Sequence, residues 1–126
     1  MGKEKGSVRW LDEPEDHNYP AAASYLGLLI DEPQAAALVE RLRAAPMARF
    51  KAKDILRASR LNLLGVSNAH IEKNLEKVDE GKPLSPVLLV RDPAQRMVIV
   101  ADGYHRLCAV YRLDEDALIP CRIVTL

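Results

Sequence analysis

Residues 101–111, with the sequence ADGYHRLCAVY, bring together residue types that can hold an anion. A helix is predicted to begin near Gly103, and the first N–H groups of a helix carry partial positive charge and have no partner within it. Glycine lets a ligand approach the backbone closely, and His105 and Arg106 add side-chain donors at the same place. The pattern predicts a phosphate site that comprises Asp102, Gly103, Tyr104, His105 and Arg106.

The same residues are also compatible with an ordinary helix start. Asp102 would then be the N-cap and Tyr104 would pack in the core. His105 and Arg106 would lie on the surface. A capping carboxylate would also compete with an anion for the same N–H groups. The sequence leaves both interpretations open.

A second group of donors lies on the helix predicted for residues 69–80. His70, Lys73 and Lys77 are three and four residues apart, so they share one polar face. This face is either exposed to solvent or in contact with the phosphate. The second alternative requires that the face be directed towards Gly103.

Carboxylates that could bind a metal are less well defined. Three of them lie close to His17, namely Glu13, Glu15 and Asp16. Their spacing matches no specific metal motif, so no metal site is predicted. A hydrolase that uses Mg²⁺ would need a carboxylate, for which Asp102 and Asp16 are the candidates.

The charges of the chain are unevenly distributed. The formal net charge is zero, which gives no general affinity for nucleic acid. Residues 41–60 nevertheless contain a single acid, Asp54, and seven bases: Arg41, Arg43, Arg49, Lys51, Lys53, Arg57 and Arg60. This stretch is either a solvated face or a surface for nucleic acid.

Hydrophobic periodicity and turn residues predict an α+β fold. Helical segments are predicted over 21–30, 33–45, 53–59 (a single turn), 69–80 and 103–112. Strands are predicted over 48–52, 86–90, 97–101 and 118–124, of which the second and third form a hairpin. Ser67 or Asn68 is the expected N-cap of the fourth helix, and Gly81 is its expected end.

The length of 126 residues predicts one domain, 1–126. It is divided into a loose tail (1–10), an N-terminal helical extension (11–46) and a core (47–126). No signal peptide is visible and no apolar run reaches the roughly 18 residues that span a bilayer, so a cytoplasmic location is expected. Cys108 and Cys121 lie in apolar runs and are expected to be reduced core residues.

The order of these elements resembles the superfamily of ParB N-terminal domains and sulfiredoxins. The family pattern is a strand with proline, a second strand, a Gly-x-x-Arg helix start followed by alanine, and a last strand with Ile-Pro. The matching positions are Pro86–Val90, Met97–Val100, Gly103–Arg106 with Ala109, and Ile119-Pro120. The likeness covers roughly residues 48–124.

The resemblance implies a small mixed sheet with packed helices and a nucleotide phosphate held at the Gly-x-x-Arg helix start. ATP or CTP with Mg²⁺ are the ligands that it implies. The helix before the first motif strand faces the phosphates in this family, which implies contacts from His70, Lys73 and Lys77. Reduction of sulfinylated cysteine is not expected, because Tyr104 stands at the position of the reactive cysteine.

Three functions are compatible with these patterns. The first is a domain that binds a nucleotide or another phosphate, and some relatives are labelled nucleases or phosphohydrolases; His105 and Arg106 would then be catalytic. The second is a non-enzymatic regulatory module with a decayed phosphate site that binds protein, or nucleic acid through residues 41–60. Redox chemistry at Cys108 is the third.

The extension at 11–46 is expected to cover one side of the sheet or to form a homodimer contact.

Overall fold

The computed structural model describes residues 8–63 and 68–126. Within these residues, five helices and a four-stranded sheet confirm the predicted α+β class. The elements in chain order are α1 (Asn18–Leu29), α2 (Glu32–Ala44), β1 (Met47–Lys51), α3 (Ala52–Ser59), α4 (Ala69–Asp79), β2 (Val87–Asp92), β3 (Met97–Asp102), α5 (Tyr104–Leu113) and β4 (Leu118–Thr125).

The sheet is mixed and has the strand order β1-β4-β2-β3. β2 and β3 form the predicted antiparallel hairpin, β2 runs parallel to β4, and β4 runs antiparallel to β1. Leu88 lies opposite Asp102, so the start of β2 and the end of β3 meet at one end of the sheet.

Helices α1 and α2 cover one face of the sheet. Leu26 and Leu42 are almost completely buried there against Leu88 and Val90 of β2. Burial of each such side chain contributes about 1.5–3 kcal/mol to stability. Of the two roles expected for the extension at 11–46, the structure therefore shows that it covers one side of the sheet.

Helices α3 and α5, with the end of α4, cover the opposite face. Leu107 and Val110 of α5 point inward and pack with Leu89. Cys108 and Cys121 are buried free thiols, as expected, and burial raises the pKa of Cys121 to about 12. Neither thiol is therefore placed to act as a surface nucleophile.

The helix boundaries follow local capping chemistry. Asn68 caps α4 by accepting hydrogen bonds from the N–H groups of His70 and Ile71, whereas the alternative cap, Ser67, lies outside the described residues. Gly81 follows the end of α4 with a φ of +75°, as predicted. Where a single turn was predicted over 53–59, a helix of eight residues runs from Ala52 to Ser59.

The predicted loose tail, 1–10, is described only from residue 8 onward. Arg9 and Trp10 are held against the molecule: the Arg9 carbonyl accepts a hydrogen bond of 2.8 Å from the N–H of Leu84, and Trp10 forms a β-bridge with Leu84. Backbone pairing with a distant residue holds Arg9 and Trp10 in place, so the prediction of a loose tail was wrong for these two residues. In the described residues, the helices are all too short or too polar to cross a membrane.

Candidate functional site

The candidate site lies where β3 turns into α5, at the end of the sheet. Gly103 makes this turn with a φ of +108°, in the left-handed region. A Cβ at this position would lie 2.5 Å from Cγ1 of Val87, which is too close for any side chain. Position 103 therefore needs glycine both for its backbone conformation and for its contact with β2.

The start of α5 has no side-chain cap among the described residues. Gly103 itself is the N-cap, and the first helical hydrogen bond runs from the N–H of Leu107 to the Gly103 carbonyl (2.9 Å). The N–H groups of residues 104–106 precede that bond, so helix geometry leaves them without an internal partner. The interpretation of Asp102 as the N-cap was wrong, and the expected competition from its carboxylate is removed.

Asp102 binds Arg106 instead. Nη2 of Arg106 lies 2.9 Å from Oδ2 of Asp102 and also donates to the carbonyl of Pro86 at 3.3 Å. Both side chains are largely buried, at 17% and 16% exposure. Nε of Arg106 is buried with no hydrogen-bond partner among the described residues. Arg106 therefore ties α5 to β3 and to the residue that precedes β2, and its Nη2 atom is already occupied.

Helix α4 brings His70 to the same corner. Ile71 of α4 packs against Cys108 and Ala109 of α5, and this contact places the rings of His70 and His105 with their centroids 4.6 Å apart. Burial lowers the pKa of His105, and the nearby His70 and Arg106 lower it further. The His105 imidazole is consequently neutral near pH 7.

The polar face of α4 reaches the cleft through His70, Asn74 and Lys77, which follow one another at helical spacing. Lys73 was predicted to share this role, but it is not among the described residues that line the cleft. It is displaced around the helix axis towards solvent. The two lysines of this helix therefore differ in position although they have the same charge.

The segment before α1 closes the cleft from the other side. The hydroxyl of Ser85 donates a hydrogen bond to Oδ1 of Asn18 and accepts one of 3.0 Å from the N–H of Glu15. This connection draws Glu15 and His17 to the start of β2. No pattern in the sequence placed Glu15, His17 and Ser85 beside the start of α5, because partners about 70 positions apart leave no local signal. Asn74 was also missed, although its position between His70 and Lys77 on one helical face was a readable signal.

Together these elements enclose an open cleft of about 230 Å³. Its lining comprises Glu15, His17, His70, Asn74, Lys77, Pro83, Ser85, Asp102, Gly103, Tyr104, His105 and Arg106. Seven of the eight residues predicted to bind the ligand are in this set, and Lys73 is the exception. All three histidines of the chain lie here.

Tyr104 has a structural contact as well as a place in the cleft. Its hydroxyl donates to the backbone carbonyl of Asn62, and its ring packs beside Ile71 and Cys108. Burial raises the pKa of the Tyr104 hydroxyl, and the neighbouring Cys108 adds to the increase. The phenol is therefore neutral at physiological pH and ties Asn62 to the start of α5.

The carboxylates considered for Mg²⁺ are differently placed. Asp102 lies in the cleft but is neutralised by Arg106, and Asp16 is not among the described lining residues. In residues 8–63 and 68–126, no group of three or more His, Cys, Asp or Glu side chains is arranged to hold a metal ion.

The basic stretch 41–60 is spread over α2, β1 and α3. Four of its seven bases lie within 4 Å of a carboxylate: Arg43 with Glu40, Lys51 and Lys53 with Asp116, and Arg57 with Asp54. Arg60 donates to the backbone carbonyls of Gln95 and Arg96. Much of the charge counted in the sequence is therefore offset locally.

Comparisons with family models, curated proteins and solved structures found no match for this chain. The site must therefore be interpreted from its own geometry.

Proposed function

We propose that the cleft at the start of α5 binds a nucleotide or another phosphate ligand, with ATP or CTP carrying Mg²⁺ as the candidates. The observation that supports this most is the uncapped helix start at Gly103, whose N–H groups at 104–106 face a cleft shared with His70, His105 and Lys77. Unpaired N–H groups at a helix N-terminus attract phosphate oxygens. The resemblance to ParB and sulfiredoxin domains implies the same location.

The charge balance of the cleft says how such a ligand would be held. Among the charged groups that line the cleft, Lys77 and Arg106 are matched by Glu15 and Asp102. The attraction for an anion must therefore come mainly from the helix N-terminus and, at low pH, from a proton taken up by His105. Burial lowers the pKa of His105, so we expect binding of sulfate, whose charge is constant from about pH 5 to about pH 8, to weaken as pH rises through this range.

Thermal unfolding with and without nucleotide tests the proposal. A ligand at about 100 times its dissociation constant should add about 2.7 kcal/mol to the free energy of unfolding. ATP, CTP and inorganic phosphate are compared, each with and without Mg²⁺. No increase in melting temperature with any of them would contradict phosphate binding and favour the non-enzymatic regulatory module.

Helix α4 offers a matched pair of variants for locating the ligand. Lys77→Ala removes a charge that lines the cleft and should lower nucleotide affinity roughly fivefold. Lys73→Ala removes the same charge from the same helix outside the cleft and should leave affinity unchanged. Equal effects of the two substitutions would show that the ligand does not sit in the cleft.

A further inference from the structure

The three histidines of the chain come from separate elements and meet in one cleft. His17 belongs to the segment that leads into α1, in the helical layer on one face of the sheet. His70 and His105 belong to α4 and α5, in the layer on the opposite face. Imidazoles therefore approach the space beside Gly103 from two sides.

We propose that this cleft cleaves RNA by general acid–base catalysis, with the 2′-hydroxyl of the substrate as the nucleophile. The inference rests on the proposed function, since the scissile phosphate would occupy the phosphate site at the start of α5. Histidine is the side chain best suited to exchange a proton at neutral pH, and positioned acid–base groups accelerate such reactions by about 10²–10⁴-fold.

The step balances without a further reactant. The 2′-hydroxyl gives its proton to the neutral imidazole of His105, and its oxygen forms a bond to phosphorus. The bond between phosphorus and the 5′-oxygen of the next nucleotide breaks, and that oxygen takes a proton from the imidazolium of His17. The products are a 2′,3′-cyclic phosphate and a free 5′-hydroxyl.

The geometry assigns the two roles. In an in-line displacement the attacking and leaving oxygens lie on opposite sides of phosphorus, so base and acid must come from opposite sides. His70 and His105 are neighbours at 4.6 Å and share a side, whereas His17 comes from the other layer. Burial and the nearby positive charge keep His105 neutral and suited to act as the base.

His17 has a partner suited to the acid. Oε1 of Glu15 lies 3.9 Å from Nε2 of His17, and this ion pair exists when His17 carries a proton. The N–H groups at 104–106 and Lys77 would stabilise the charge that develops on the phosphoryl oxygens. Four other titratable or charged groups line the cleft beside His17 and His105, namely His70, Asp102, Tyr104 and Arg106.

The test uses the full chain, a short RNA oligonucleotide and its 2′-deoxy counterpart, in the presence of EDTA. We expect cleavage of the RNA alone, products that end in a 2′,3′-cyclic phosphate by mass spectrometry, and a bell-shaped dependence of rate on pH. Cleavage of both strands at similar rates, products with a 5′-phosphate, or a requirement for Mg²⁺ would overturn the inference.

Variants purified in parallel separate this activity from a contaminant. His105→Asn and His17→Asn should each lower the rate by about 10²-fold or more, and Lys73→Ala should not change it. His17 has a side chain that is 76% exposed, so its substitution should leave the melting temperature unchanged. A rate that is unaffected by both histidine substitutions would overturn the inference.

The failure of this inference can be distinguished from failure of the proposed function. Suppose that nucleotide stabilises the protein, that it stabilises the Lys77→Ala variant less, and that no RNA is cleaved. The phosphate site would then stand and the catalytic role would be refuted. If the protein neither binds nucleotide nor cleaves RNA, both the phosphate site and the catalytic role would be refuted.

Discussion

Gly103 combines a backbone requirement and a packing requirement at one residue. Its φ of +108° is one that residues with a side chain rarely adopt, and Val87 occupies the space where a Cβ would lie. The close approach keeps the start of α5 against β2. It also leaves the helix N-terminus open to the cleft. The lack of a side chain at position 103 therefore allows both the turn and the site.

Substitution of Gly103 tests this double role. Gly103→Ala should lower the free energy of unfolding by about 2–4 kcal/mol, because strained backbone and an overpacked contact add together. Gly81→Ala is the matched control: its φ is +75°, but no described atom lies within 4 Å of the added Cβ. It should cost only about 1 kcal/mol, measured by urea unfolding. Equal losses for the two would show that contact with Val87 contributes nothing.

His105 should give the unliganded protein a dependence on pH. Its pKa is lowered in the folded state, chiefly by burial, so the unfolded chain binds more protons as pH falls below about 6.5. The free energy of unfolding should therefore rise with pH through this window. His105→Asn should flatten the dependence in urea unfolding from about pH 5 to about pH 8. An unchanged profile in the variant would contradict the assigned shift.

At the scale of elements, local patterns predicted most of what surrounds the site. Apolar runs bounded by turn residues placed the hairpin, and helical periodicity placed α5, to within a few residues. Gly103 indicated the open helix start. The role of Asp102 was misjudged, although its spacing of four from Arg106 was a readable signal for a side-chain pair.

Contacts between distant elements were beyond the reach of local patterns. The hydrogen bonds of Ser85 to Asn18 and Glu15 bridge about 70 residues, and they depend on how α1 lies on the sheet. Lys73 and Lys77 could not be told apart for a similar reason: which stripe of α4 faces the cleft is set by the burial of Ile71 against α5.

At the scale of the molecule, the cleft lies between two helical layers that cover opposite faces of the sheet. α1 and α2 form one layer, and α3, α4 and α5 form the other. Because His17 and His105 belong to different layers, the site depends on both cores. The N-terminal extension is therefore part of the site as well as a cover for the sheet.

Two leucines of α1 test how much this layer contributes. Leu26 is 1% exposed and Leu28 is 84% exposed on the same helix. Leu26→Ala should lower the free energy of unfolding by about 2–5 kcal/mol, because it leaves a cavity between α1 and β2. Leu28→Ala should change it by less than about 0.5 kcal/mol. Similar small effects of both in denaturant unfolding would contradict the packing of this layer.

The most direct measurement is a nuclear magnetic resonance titration of the ¹⁵N-labelled chain with ATP, CTP and inorganic phosphate. A phosphate bound at the start of α5 should shift the backbone N–H signals of Tyr104, His105 and Arg106 most, together with the ring signals of His70 and His105. The Lys73 signal should remain where it is. Shifts confined to residues 41–60, or no shifts at ligand concentrations in the millimolar range, would contradict a phosphate site in this cleft.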